Sequence, residues 1–218
     1  MCVAYDVEGY SGLGQEAQFD VQRRLRALVD GACARAGLSP GEYETQPQGD
    51  GGLALLPTGG KVDEPRLIAS FLRAVTAGLG GVNGLRDAGT RIRLRMALHE
   101  GVIYRADHGY VGDAVVEAFR MCDAGPVRDA LRRNPGADLV LVAADRIYQD
   151  VLRHGHHGIP GDSFVRHLLR VKLFEAHGWL FVPGGDSGPA RADGESPDTP
   201  SAPSLADTLD GDRPYDLW

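Results

Sequence analysis

Lysine is nearly missing from this sequence. Of 23 basic residues in 218, only Lys61 and Lys172 are lysines and the other 21 are arginines. With so many alanines and glycines, that bias points to a GC-rich coding sequence rather than to a function. Cysteine is scarce too. Cys2, Cys33 and Cys122 are odd in number, widely spaced and form no C-x-x-C, which excludes a disulfide framework, a zinc ribbon and a dithiol redox motif. No stretch of 18 apolar residues exists, so no transmembrane helix is expected. Met1 runs straight into Cys2-Val3-Ala4-Tyr5 without a basic n-region, so no signal peptide is read and a cytoplasmic protein with free thiols is expected. Positive charge is also short. Thirty acids against 23 bases give −7, the wrong balance for a general nucleic-acid binder.

The charge is unevenly spread. From 184 to 218 there are eight acids and two bases, a balance of −6, which leaves residues 1–183 at −1. That segment is rich in Pro, Ser, Asp, Gly and Ala without periodicity. It reads as a disordered acidic tail, residues 184–218, behind a folded domain of residues 1–183. The tail closes on Arg213-Pro214-Tyr215-Asp216-Leu217-Trp218, read either as a docking peptide for a protein partner or as a solvated end.

Within the body, residues 3–6 are β-prone and end at Asp6. Val21, Leu25, Leu28, Val29 and Ala32 recur with helical spacing. Two strand-like runs, 42–48 and 51–56, meet at Gly49-Asp50-Gly51, and Pro47 marks the first as an edge or a bulge. A helix is expected over 64–79, ended by a glycine-rich loop at Gly78, Gly80, Gly81 and Gly84. Residues 91–98 alternate strictly, with Ile92, Leu94, Met96 and Leu98 on one side. Arg91, Arg93 and Arg95 lie on the other, read as a solvated face or part of a dimer surface. Helices over 113–123, 126–133 and 144–153 and strands over 138–142, 168–174 and 179–182 follow. The order β-α-β-β-α-β predicts an α+β fold with helices over a mostly antiparallel sheet.

Asp6 at a strand end and Asp50 in the adjacent hairpin can meet at one sheet edge, where two carboxylates suit Mg²⁺ and a substrate phosphate. A turn-forming role for Asp50 is the competing reading. The loop Gly9-Tyr10-Ser11 leads to a helix start, whose free N–H groups favour a triphosphate. His154-Gly155-His156-His157 lacks a spaced acid or cysteine partner and reads as a solvated loop.

Four segments together resemble the class III nucleotide cyclases. Val3-Ala4-Tyr5-Asp6-Val7-Glu8-Gly9-Tyr10-Ser11 resembles their opening strand and loop. Gln48-Gly49-Asp50-Gly51 resembles their second-aspartate hairpin, and Leu98-His99-Glu100-Gly101 the strand ending in His-x-Gly. Tyr110–Arg120 resembles the helix carrying their Asn and Arg. The likeness spans about residues 1–183 and implies a ferredoxin-like βαββαβ cyclase fold. It implies that Asp6, Asp50 and the Val7 carbonyl hold two Mg²⁺ or Mn²⁺ ions. It also implies that Arg120 and Lys172 stabilise the reacting phosphates, and that a nucleoside triphosphate binds between the subunits of a head-to-tail homodimer.

The departures from that pattern are specific. Val116 stands where the family has Asn and donates no hydrogen bond. Gln46 and Gly109 stand at the two base-selecting positions and specify neither purine. Pyrimidine cyclases of bacterial antiphage signalling share the fold and depart at the same positions, so a cCMP or cUMP product is one expectation. The alternative is a degenerate module that binds a nucleotide or a partner protein without turnover. A diguanylate-cyclase or polymerase palm would share the element order, but no Gly-Gly-Asp/Glu-Glu-Phe signature is present.

Overall fold

The computed structural model describes residues 1–60, 62–84, 86 and 90–188. The elements run β1 (Cys2–Val7), α1 (Gln15–Arg35), β2 (Glu44–Gln48), β3 (Gly51–Leu55), α2 (Glu64–Asn83) and β4 (Leu94–His99). They continue with β5 (Tyr104–Ala106), β6 (Gly109–Val111), α3 (Asp113–Asp123), α4 (Gly125–Arg133) and β7 (Leu139–Ala144). Then come α5 (Asp145–Asp150), β8 (Val165–Val171) and β9 (Phe174–Phe181). Seven strands form one sheet in the order β2-β3-β1-β4-β7-β9-β8, with β5 and β6 as a separate hairpin. Every neighbouring pair in the large sheet is antiparallel except β4 and β7. The βαββαβ core and its mostly antiparallel sheet are therefore as the sequence predicts. Pro47 sits on β2, the outermost strand, where a missing N–H is tolerated.

Alternation along β1 divides the molecule into layers. Val3, Tyr5 and Val7 face α1 and α2, within a core that includes Phe71, Val75, Leu79, Leu94, Met96 and Leu98. Cys2 and Ala4 face α3 and α4, with Ala97, Ala114, Ala118 and Met121. The side chains meeting α3 are small, which lets its backbone lie close to the sheet. Asp6 continues the second set and so comes out on the α3 side.

Three sequence expectations are corrected. The glycines at 78, 80 and 81 lie inside α2 rather than in a loop after it. A side chain at Gly78 would collide with Leu28 Cδ1, so α1 and α2 pack through that gap. Next, Arg91, Arg93 and Arg95 are neither a solvated nor a free face. Arg91 pairs with Asp138 at 2.5 Å and Arg93 with Glu8 at 2.5 Å, while Arg95 pairs with Asp6. Finally, the chain stays attached beyond residue 183. Val182 N–H donates to Ser187 Oγ at 2.9 Å, Asp186 N–H donates to Asn134 Oδ1 at 2.8 Å, and His167 Nε2 meets Ser187 O at 2.8 Å. Residues 184–188 belong to the body through hydrogen bonds that no apolar pattern announces. The rest of the expected acidic tail, 189–218, lies outside the described residues.

Candidate active site

The carboxyl end of β1 and the β2–β3 turn form one wall of a cleft. Val7 N–H donates to Asp50 O at 3.0 Å, and Asp6 is registered opposite Gly51, so the two aspartates are neighbours at one sheet edge. Glycine is required there: a side chain at Gly51 would collide with the Tyr5 carbonyl. Gln22 reaches across from α1 and donates to Gly49 O at 3.1 Å, bracing the turn.

The opposite wall comes from the last turn of α3 and the two-residue turn between β8 and β9. The cavity between them holds about 350 Å³ and is lined by Asp6, Asp50, Arg120, Asp123, Lys172 and the Cys122 side. Asp6, Asp50, Arg120 and Lys172, from four distant stretches of sequence, thus share one cleft. Among the described residues, the Asp50 carboxylate, Arg120 and Lys172 have no ion pair. Lys172 sits at φ 55°, a left-handed conformation that costs a non-glycine residue about 1 kcal/mol or more.

Asp6 is the most constrained member. Burial raises its carboxyl above the ordinary range, Arg95 acts against that shift, and the nearby charges of Asp50 and Asp123 add to it. Arg95 projects from β4, directly opposite Asp6, and is 14% exposed. Its other terminal nitrogen lies 3.7 Å from Asp123, and its Nε is buried without a partner. Sequence reading missed Arg95. No sequence signal could have found it, because the register of β4 beside β1 is set by the fold.

Arg93, one step along the same face, donates to the carbonyls of Leu131, Asn134 and Ala137 as well as pairing with Glu8. It places a cation on the carbonyl end of α4, where the helix dipole favours one.

The remaining positions singled out from sequence lie elsewhere. Gly9, at φ 72°, and the short turn Tyr10–Gly12 are not in the lining of the cleft, and neither is Ser11; Tyr10 Oη accepts from Gln22 at 2.7 Å. Val7 turns its side chain into the α1/α2 core. Gln46 and Gly109 come together: Gln46 Oε1 accepts from Tyr110 N–H at 3.1 Å, and any side chain at Gly109 would collide with the Gln46 amide. Val116 is 47% exposed on α3, one turn before Arg120. Glu117, the next residue and about 100° round the helix, pairs with His99 at 3.0 Å.

Oxygen donors dominate the acidic wall, which suits Mg²⁺ or Mn²⁺. Cys122 is no competitor, because burial pushes its thiol far up and keeps it neutral. Burial is the main cause of the rise at Asp6, with the charges of Asp50 and Asp123 adding to it. Among the described residues no group of three or more His, Cys, Asp or Glu side chains is gathered as a metal site, so the donors on offer are the two aspartates and backbone oxygens.

This is the fold of the class III nucleotide cyclases. Particular solved structures show the likeness. An adenylate/guanylate cyclase/hydrolase from Silicibacter pomeroyi superposes with a TM-score of 0.58 and 21% identity, over 84% of this chain and 95% of that one. The adenylyl cyclase CyaB from P. aeruginosa gives 0.54 and 13%, over 83% and 91%. The catalytic core of a rhodopsin-guanylyl cyclase with converted specificity, in complex with ATPαS, gives 0.52 and 18%, over 83% and 93%. No family model and no curated protein matches the chain.

Proposed function

We propose that the protein is a nucleotide cyclase acting as a homodimer, converting a nucleoside triphosphate to a 3′,5′-cyclic nucleotide and pyrophosphate. The observation that carries this reading is the cleft in which Asp6 and Asp50 stand opposite the unpaired Arg120 and Lys172. In the reaction the ribose 3′-oxygen bonds to the α-phosphorus, the Pα–O–Pβ bond breaks, and the 3′-hydroxyl proton leaves to solvent. Asp6, Asp50 and the Val7 carbonyl would hold Mg²⁺ or Mn²⁺. Such ions supply a more acidic 3′-hydroxyl and charge neutralisation at the phosphates. Arg120 places a cation where negative charge gathers on the α-phosphate, and Lys172 neutralises the departing pyrophosphate. Arg95 holds Asp6 in place and opposes the rise that burial imposes on its carboxyl.

Base choice follows from Gln46. Its carbonyl oxygen is occupied by Tyr110, Gly109 adds no side chain, and its NH₂ remains to donate to a base acceptor. Neither purine is selected by a charged side chain, which leaves a pyrimidine substrate and a cCMP or cUMP signal open. Exposed Val102, Tyr104, Val111 and Val116 on and beside the β5–β6 hairpin and α3 form an apolar surface suited to a second subunit.

The test is one incubation series with Mn²⁺ and each of ATP, GTP, CTP and UTP, the products separated by chromatography. A cyclic product that vanishes in Asp50→Ala is expected. No product from any triphosphate, with metal-dependent nucleotide binding retained, would overturn turnover and leave a binding module.

A further inference from the structure

On the face of the sheet away from the cleft lies an apolar groove of about 470 Å³. Its walls are the middle of α2, the segment 158–164 and the end of β9, contributed by Leu72, Ala77, Ile159, Pro160, Phe164 and Phe181. Among the described residues nothing covers it. Its rim is basic. Arg73 on α2 is exposed and donates to the His157 carbonyl, and the adjoining loop carries Arg153, His154, His156 and His157. Acids also stand at this rim: Asp63 lies 3.9 Å from His157 and Asp162 is exposed within the 158–164 wall, so Arg73 is the charged residue that the lining itself presents.

We propose that the groove is the docking site for residues 213–218 of the same chain, with Tyr215, Leu217 and Trp218 seated in it and Asp216 facing Arg73. Two features of the chain argue for this occupant. Beyond Gly188 the large apolar side chains are Leu205, Leu209, Tyr215, Leu217 and Trp218, so three of the five fall within 215–218. The approach is acidic, with Asp210, Asp212 and Asp216, and matches a rim of arginine and histidine.

Reach is sufficient. The segment starts at Gly188, whose carbonyl accepts from Arg133 of α4 at 2.6 Å, and a random coil of the 26 residues between Gly188 and Tyr215 would have a root-mean-square span of roughly 30 Å, comparable to the width of the body. Tethering at that length raises the segment's local concentration to about the millimolar range, so a weak apolar contact is enough to hold it. The docked segment would lie across the sheet from the cleft and leave it open. This inference does not depend on the reading of the cleft as a cyclase site.

The test uses the full chain with one cysteine pair added, Ala77→Cys with Asp216→Cys. The native cysteines are buried and burial pushes their thiols up, that of Cys33 to about 12, so mild oxidation selects the introduced pair. The expected result is an intramolecular disulfide forming at least about 10-fold faster than in a control pair, Ala106→Cys with Asp216→Cys. Replacing Leu217 and Trp218 by Ala should bring that rate down to the control. Equal rates in the two pairs would overturn the proposal. Disulfides chiefly between two chains would also overturn it and assign the groove to a second copy. Hydrogen exchange gives a readout free of substitutions. Segments 69–77 and 158–164 should exchange more slowly in the full chain than in a chain ended after Gly188, and equal exchange would overturn the docking.

Discussion

The two faces of the sheet are packed under different constraints. Towards α1 and α2, β1 presents Val3, Tyr5 and Val7 to a layer of large apolar side chains that includes Phe71, which is 1% exposed. Towards α3 and α4 it presents Cys2, Ala4 and then Asp6, and the packing turns from small side chains to charge within one strand. The first face holds the molecule together by removing apolar surface from water. The second presents small side chains to α3, which brings Arg120 into one cleft with the aspartates. A buried ion pair such as Asp6–Arg95 is weak evidence for stability, because desolvation offsets much of its attraction. The second face also buries Met121, Leu131, Leu169 and Leu180, so its charges stand at the end of an apolar core rather than in place of one.

That contrast is open to direct tests. The largest effect is expected from Asp50→Ala, which should lower cyclic-nucleotide formation by about 10³-fold or more while the melting temperature stays within a few degrees. Loss of stability with activity retained per folded molecule would reverse the assignment of the faces. Phe71→Ala is the mirror experiment. It should cost about 3–5 kcal/mol in a denaturant titration and leave turnover per folded molecule unchanged.

Arg120→Ala should lower kcat by about 10²–10³-fold with a small change in KM, and Arg120→Lys should recover part of it. Asp6→Asn separates activity from stability through pH. Burial raises the folded-state value of Asp6, so its ionisation favours the unfolded chain, and the stability held by the protonated form is lost as pH rises through that value. The variant should thus be inactive yet no less stable than the parent at pH 7, and the two melting curves should converge in acid. Val116→Asn is expected to have the smallest effect on folding, since the position is exposed on α3, and should raise turnover if the helix face reads the ribose.

Much of this was legible from residue order. The Ile92–Leu98 alternation, the Asp-Gly turn at 50–51 and the α3 span over 113–123 need only local periodicity and turn chemistry, and they reappear as β4, the β2–β3 hairpin and α3. The partnerships were not legible. Arg95 lies 89 positions from Asp6, and nothing along the chain states that β4 will lie beside β1 with these two in register. The glycines of α2 looked like a helix end because their gap is filled by Leu28 of another helix. Residues 184–188 looked like tail because side-chain and backbone hydrogen bonds, rather than burial of apolar groups, fasten them.

By itself the sequence determined the element order, the hydrophobic face of each element and the set of residues with chemistry to offer, because those depend on neighbours a few positions apart. The tertiary structure decided which of them act together. It placed Asp6, Asp50, Arg120 and Lys172 around one cleft and set Gln46 against Gly109. It turned a row of arginines into half-buried partners for carboxylates and helix carbonyls. The reason is physical: the energy of a charge depends on what surrounds it in space, and the surroundings of Asp6 exist only once the sheet has closed.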